Sequence, residues 1–494
     1  MFGVFYESLI PMEKMRKLHR CFYASAHLVC VVCLSCCLAH GQVENQAKDQ
    51  LPDAPTPNTA KAKSFFGRWG DFYRQDWKGS DDSSSPEPKR RGLPSPLESP
   101  PFPDEDWAYS GAPLIGTPDS NSYPLMTAIN NAASRTKIYG WVDTALNFST
   151  SSKDNWPEVN DAYPDRFELS QAVVNVERLP DTVQTDHVDW GYHFTALYGT
   201  DYRFTMAKGY STSQWVDHRH QYGFDPALAY FDVYFPHWFQ GANLRFGRYG
   251  TLPGIESEQL PDNNIYSFST VYLVSPTTDT GVMGTVKLND QWVVQLGVAG
   301  SHDVALWTPD AKPSATACVS YTTKSVNDNF YACANGINDG KYAYNNTQQY
   351  DSLWNHKFSK SVYMSTESVF LYERDVPAAA GAIVPEPGTF PASCAPGQQQ
   401  CTASLYGLVN FVQKSLSEHS YLSLRSDYLD DRRGMETGYA TKYTENTLTF
   451  CHWLGSTVQI RPEIRFEHAW DRGAYDNGQK QNQFTVASDV VFHF

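Results

Sequence analysis

The segment TVQIRPEIRFEHAW carries Arg461, Glu463, Arg465 and Glu467 at every second position. On an extended chain that spacing puts all four on one face, with Ile460, Ile464 and Phe466 on the other. YLSLRSDYL repeats the pattern, with Ser423, Arg425 and Asp427 opposite Leu422 and Leu424. KIYGWVDTALNF sets Asp143 and Asn147 against Ile138, Val142, Leu146 and Phe148. The terminal QNQFTVASDVVFHF sets Gln483, Thr485, Asp489 and His493 against Phe484, Val486, Val490, Phe492 and Phe494. Arg245 in ANLRFGRY belongs to the same class, whereas Arg248 has the opposite parity and is expected at a rim. Charges of mixed sign on one face of a strand need water, and the apolar residues between them need lipid or a core. The chemistry this suits is a wet wall that hydrates and sorts passing solutes.

Catalytic patterns are weak by comparison. No GxSxG elbow, phosphate-binding Gly-rich loop or HExxH helix occurs. His452 and His468 fit a lipase at a lipid face by position only, and no pair of carboxylates stands out for glycoside chemistry. His218 and His220 in WVDHRHQYG lack a partner cluster, so no metal and no cofactor is expected. The net charge of −15 argues against nucleic acid, which needs a basic face.

Composition points to the elements that position these residues. Aromatics make up 14% of the chain, with 30 Tyr, 27 Phe and 13 Trp, while hydrophobic residues total 41%. Many rings among few aliphatics suit half-buried strands with aromatic rims. From Thr136 onward, about 14 strand-like runs alternate between long and short connections, which is the parity of short periplasmic turns and longer extracellular loops. The expected fold is all-β, a transmembrane antiparallel up-and-down barrel of about 14 strands within a range of 12–16. A soluble barrel or sandwich is the competing arrangement. A plugged transporter of about 22 strands needs a longer chain.

The longest connection, about Ser301 to Thr347, carries Cys318 and Cys333, and a later one carries Cys394 and Cys401. Two close pairs in polar sequence predict disulfides Cys318–Cys333 and Cys394–Cys401 in an oxidising compartment. Cys451 lies in an apolar strand pattern as a small buried or lipid-facing side chain.

Residues 1–41 read as an export signal: a basic stretch with Lys14, Arg16, Lys17 and Arg20, an apolar run, and Ala39-His40-Gly41 before the cut. Met12 and Met15 are alternative starts. Residues 42–134 are Pro- and Ser-rich, a disordered or extended linker for the periplasm or the pore, with SFFGRWGDFYRQDW suited to a short amphipathic helix. Residues 135–494 form the barrel.

KIYGWVDTALNFSTSSKDN, DWGYHFTALYGTDYRFT, YGFDPALAYFDVYFP, LRFGRYGTLPGIE and LNDQWVVQLGVAGSHDVALWT resemble the putative β-barrel porin-2 family, the OmpL-like porins, and the resemblance runs from about Thr136 to Phe494. It implies a porin of a Gram-negative-type outer membrane and no catalytic motif. The expected function is passive diffusion of small hydrophilic solutes or ions; the alternative is a non-conducting anchor or adhesin acting through its loops. By analogy with general porins, GTLPGIESEQLPDNNIYSFSTVYLVSPTTDT folds inward. Glu256, Glu258 and Asp262 then face Arg245, Arg425, Arg461 or Arg465 across an eyelet. The alternative is that these arginines pair with neighbouring carboxylates, as Arg465 can with Glu463 or Glu467, and merely hydrate the wall. Expected partners are outer-membrane lipid, the solutes, and the barrel-assembly machinery, whose recognition signal a C-terminal aromatic such as Phe494 resembles. A homotrimer is compatible with this reading.

Overall fold

A computed structural model describes residues 63–78, 122–157, 160–251, 254–263, 265–325, 327–342, 346–359, 361–379, 390–417 and 419–494. The export signal and most of the linker lie outside these residues.

Sixteen antiparallel strands close into one barrel. They are β1 (Lys137–Ser149), β2 (Phe167–Arg178), β3 (Asp189–Gly199), β4 (Gly223–Phe235), β5 (Ala242–Gly250), β6 (Thr278–Lys287), β7 (Trp292–His302) and β8 (Ser314–Thr322). The second half is β9 (Asp328–Ile337), β10 (Gln348–Ser359), β11 (Val362–Pro377), β12 (Gln400–Ser417), β13 (Ser420–Asp431), β14 (Thr441–Leu454), β15 (Val458–Ala469) and β16 (Asn482–His493). Each strand pairs with its sequence neighbours, and β1 meets β16 from Trp141↔His493 to Ser149↔Thr485. Phe494 completes this seam by exchanging two backbone hydrogen bonds with Gly140, at 2.9 and 3.1 Å. Closure leaves no unpaired sheet edge, which is the condition for a sheet to cross lipid. Among the described residues no helix is long and apolar enough to cross a membrane.

The strand count reaches the top of the expected range because of one hairpin. SATACVSYT and DNFYACANGI, placed by their sequence within the longest loop, are strands β8 and β9. Their outward rows hold Ala315 and Ala317 in β8 and Ala332 in β9, which weaken the oily signal beside Val319 and Phe330. Cys318 and Cys333 are direct cross-strand partners and form one disulfide; Cys394 and Cys401 form the other. The first bridge spans 15 residues between strands that already pair. Replacing both cysteines by serine is therefore expected to cost at most ~3 kcal/mol. The barrel's unfolding midpoint in denaturant checks this, and loss of the folded band altogether would contradict it.

Side chains alternate as a membrane barrel requires. Val142, Val174, Leu424, Ile460, Ile464 and Phe466 stand outward and exposed, while Asp143, Asn175, Arg425, Arg461 and Glu463 are buried inside. Trp190, Trp292, Trp354 and Phe358 lie outward near the short-turn end, and Phe167, Tyr198, Phe224 and Trp470 near the long-loop end. These are the two aromatic girdles that hold a barrel at the membrane interfaces. Cys451 faces inward, is buried, and is not disulfide-bonded.

Before the barrel, helix α1 (Phe65–Asp76) starts at Ser64, whose hydroxyl accepts from the Gly67 amide. It docks where β14 turns into β15. Asp76 accepts from the Ser456 amide at 2.9 Å and the Thr457 hydroxyl at 2.7 Å, and the Tyr73 hydroxyl donates to the His493 carbonyl at 2.8 Å. The Tyr73 ring also stacks on Phe492 of the closing strand. Helix α2 (Pro124–Ala128) joins α1 through Arg68, which donates to the Ala128 carbonyl at 2.8 Å. Asp76→Ala removes the charged acceptor of this clasp. The change is expected to cost the docked helix about 1–3 kcal/mol and to expose residues 63–78 to protease in folded barrel. Unchanged protection would show that the aromatic contacts suffice.

Candidate functional site

Segment 251–277, between β5 and β6, enters the barrel and lies against the opposite wall, β11 to β15. Helix α3 (Tyr202–Thr205) and helix α4 (Ser213–Val216) belong to another such segment, 200–222, and helix α5 (Thr270–Val274) to segment 251–277 itself. Both chemistry and apolar packing hold the 251–277 loop. Its Ile255, Val271 and Val274 join inward-facing Val369, Leu371, Leu405, Val409 and Leu429 in one buried cluster. Gly407 makes room for it: a Cβ there would stand 2.9 Å from the Val271 side chain.

The polar anchors come from the alternating strands. Arg461 pairs with Asp489 and donates to the carbonyls of Leu260 (2.7 Å), Asn263 (2.6 Å) and Ile265 (3.3 Å). Arg425 pairs with Glu445, donates to the Ser267 carbonyl, and stands 3.4 Å from Glu256. Asp427 accepts from the amide (2.7 Å) and hydroxyl (3.0 Å) of Thr270, placing an anion at the start of α5. Glu463 accepts from the Ser267 amide at 3.1 Å. Arg465 bridges Glu463 (3.2 Å) and Glu467 (3.3 Å). Asp143 neighbours Asp489 and Arg461 on the same wall.

The arginines and the loop carboxylates are thus not ranged across a gap. Arg425, Arg461 and Arg465 are at most 1% exposed. Glu256 sits on the arginine side, accepting from the amide and hydroxyl of Ser269 as well as Arg425. Asp262 accepts from Ser257 within the loop at 3.2 Å. The Glu258 carbonyl accepts from Gln171 at 2.9 Å. Burial raises the Glu256 carboxyl to about 8 and the Glu258 carboxyl above its ordinary range. Arg245 lies apart, held two-pronged by Asp232 at 2.9 Å and stacked on Tyr230.

Arg248 departs from the rim position that parity assigns it. It is 1% exposed, ion-paired to Asp225 at 3.0 Å, and lies over the Tyr210 ring. The backbone at Gly247 has φ +131°, where a Cβ would stand 2.2 Å from the Ala229 carbonyl oxygen. Strand pairing runs through Gly247 without a register shift, and Arg248 is buried because Thr205 and Tyr210 of segment 200–222 cover it.

Several partners escaped sequence reasoning. Glu367 accepts from the Ile255 amide at 2.9 Å, Gln459 donates to the Asn263 carbonyl at 2.9 Å, and Asp161 accepts from the Tyr266 hydroxyl at 3.0 Å. Glu367 and Gln459 share inward parity with the charged rows, which is the signal that could have found them. Asp161 lies in a loop and had none. Among the described residues no cluster of three potential metal ligands occurs.

Three solved structures are similar in architecture. An anion-selective porin from Comamonas acidovorans has 10% identity, covers 73% of this chain and 99% of its own, and has a TM-score of 0.48. The outer-membrane channel DcaP of Acinetobacter baumannii has 11% identity, 73% and 97% coverage, and a TM-score of 0.45. OmpT of Vibrio cholerae, in its trimer form, has 9% identity, 73% and 99% coverage, and a TM-score of 0.42. A search of curated proteins found no match. The sequence of residues 135–494 matches one family across the whole barrel, and the chain belongs to the putative beta-barrel porin-2, OmpL-like family.

Proposed function

We propose that this porin-family barrel is a channel, not an enzyme, for passive diffusion of small hydrophilic solutes or ions across a Gram-negative-type outer membrane. The observation that carries the reading is the inward loop 251–277, fastened along one wall by Arg425, Asp427, Arg461 and Glu463. A loop secured in this way narrows the lumen to a fixed width and leaves the remaining polar wall to set ion preference. In this reading the arginines are loop anchors, and any field they make is largely cancelled by Glu445, Glu463, Glu467 and Asp489 beside them. Phe494 ends the seam strand and serves as the assembly signal.

One observation favours the rival reading of a non-conducting anchor: the three wall arginines are almost wholly covered. Purified full-length protein in planar bilayers separates the two. Discrete open-channel steps with salt-dependent ion preference support diffusion. A barrel with heat-modifiable gel mobility that conducts nothing would refute it and leave the anchor.

A further inference from the structure

At the long-loop end, segments following different strands, the end of the 251–277 loop among them, line a cavity of about 400 Å³. Its lining includes Asp154, Trp156, Tyr163, Trp215, Asp303 and Glu436. Two features set it apart. Its walls are aromatic, and one already carries a cation: the Arg203 guanidinium, also in the lining, lies 5.6 Å from the Trp215 ring centre. Glu436 is 8% exposed, yet its carboxylate has no hydrogen-bond donor or cationic partner among the described residues. Burial, and after it repulsion from Asp431 and Glu373, pushes its carboxyl well above the ordinary range. Three carboxyl side chains against one guanidinium leave the lining with an excess of acid.

We propose that this cavity is a binding subsite for small organic cations, an ammonium or guanidinium group joined to an apolar body. The cationic head meets Glu436 and supplies the countercharge that carboxylate lacks, while the body lies between Trp156, Tyr163 and Trp215. A volume of this size suits one small ligand. Asp154 accepts from the backbone amides of Trp156 and Asn477, and Asp303 from Thr277 and Thr278. Those two are already engaged, so Glu436 is the group with capacity to spare. Burial and the neighbouring carboxyl groups disfavour the charged form of Glu436, so a bound cation favours loss of its proton and affinity rises with pH. A role in uptake rests on the channel reading above; the binding itself does not.

Calorimetric titration of folded full-length barrel in detergent with phenethylammonium tests this, with neutral 2-phenylethanol as the matched control. The expected result is saturable binding of the amine, at least about tenfold tighter than the alcohol, and tighter at pH 8 than at pH 6. Glu436→Gln is near-isosteric and keeps a neutral side chain where the charged form is disfavoured, so the variant keeps its heat-modifiable mobility; amine affinity falls about tenfold and the pH dependence flattens. Equal binding of amine and alcohol, or an unchanged Gln variant, overturns the proposal. Amine binding without bilayer conductance defeats only the channel reading, and conductance without amine binding defeats only this site.

Discussion

Arg461→Met is expected to free the 251–277 loop from its wall while the barrel stays closed. Arg461 holds three carbonyls of the loop and neutralises Asp489, and it is fully buried. Removing one partner of a buried pair typically costs about 3–5 kcal/mol, because the other charge is left uncompensated. Here Asp489 would be left beside Asp143, another carboxylate. The sixteen-strand ladder does not depend on this side chain, so the loss falls on the loop. In bilayers the unit conductance should rise several-fold and become noisier, and protease should cut within residues 251–277 of folded protein. Arg461→Lys keeps a charge without the planar fork that reaches several acceptors at once, so it should fall between. An unchanged conductance step together with intact protease protection would show that the apolar cluster alone secures the loop.

Raising pH from 7 to 9 is expected to move ion preference toward cations, with a midpoint near 8. Glu256 is the cause: burial lifts its carboxyl to about 8, against the opposing pull of Arg425 and the Ser269 hydroxyl. The folded value lies above the ordinary one of 4.5, so the protonated form is the one favoured in place. Its contribution to loop docking is complete below about 4.5 and is lost as pH rises through about 8. Over the same interval the lumen gains one negative charge. At about 8 Å from an ion in water, one charge contributes about 0.5 kcal/mol, roughly a twofold change in cation preference. Burial also raises Asp201 to about 7 and Asp303 to about 6, so Asp201 adds to the lower part of this interval and Asp303 is largely ionised before it. Reversal potentials in a salt gradient measure the shift, and Glu256→Gln should abolish the step near 8. An identical curve in that variant would assign the response elsewhere.

The alternation of Arg461, Glu463, Arg465 and Glu467 sufficed to tell which face of β15 points into the barrel, and the burial of all four follows that parity. Strand parity is local: adjacent residues on an extended chain must point apart, so each row can be read without its neighbours. The same local rule failed at Arg248, which segment 200–222 covers, and at β8 and β9, whose outward rows hold Ala315, Ala317 and Ala332 and so give a weak lipid signal beside Phe330.

The sequence by itself therefore determined the barrel, its closing strand at Phe494, the inside and outside of most strands, and both cysteine pairs. Only the tertiary structure decided what the charged rows touch. Arg425 and Arg461 lie more than a hundred residues from the carbonyls they bind in 251–277, and Glu436 shares its cavity with side chains from five other connections. Such contacts carry no periodic signal. They arise because a closed wall brings distant loops into one interior, where each buried charge must find whatever partner the fold supplies.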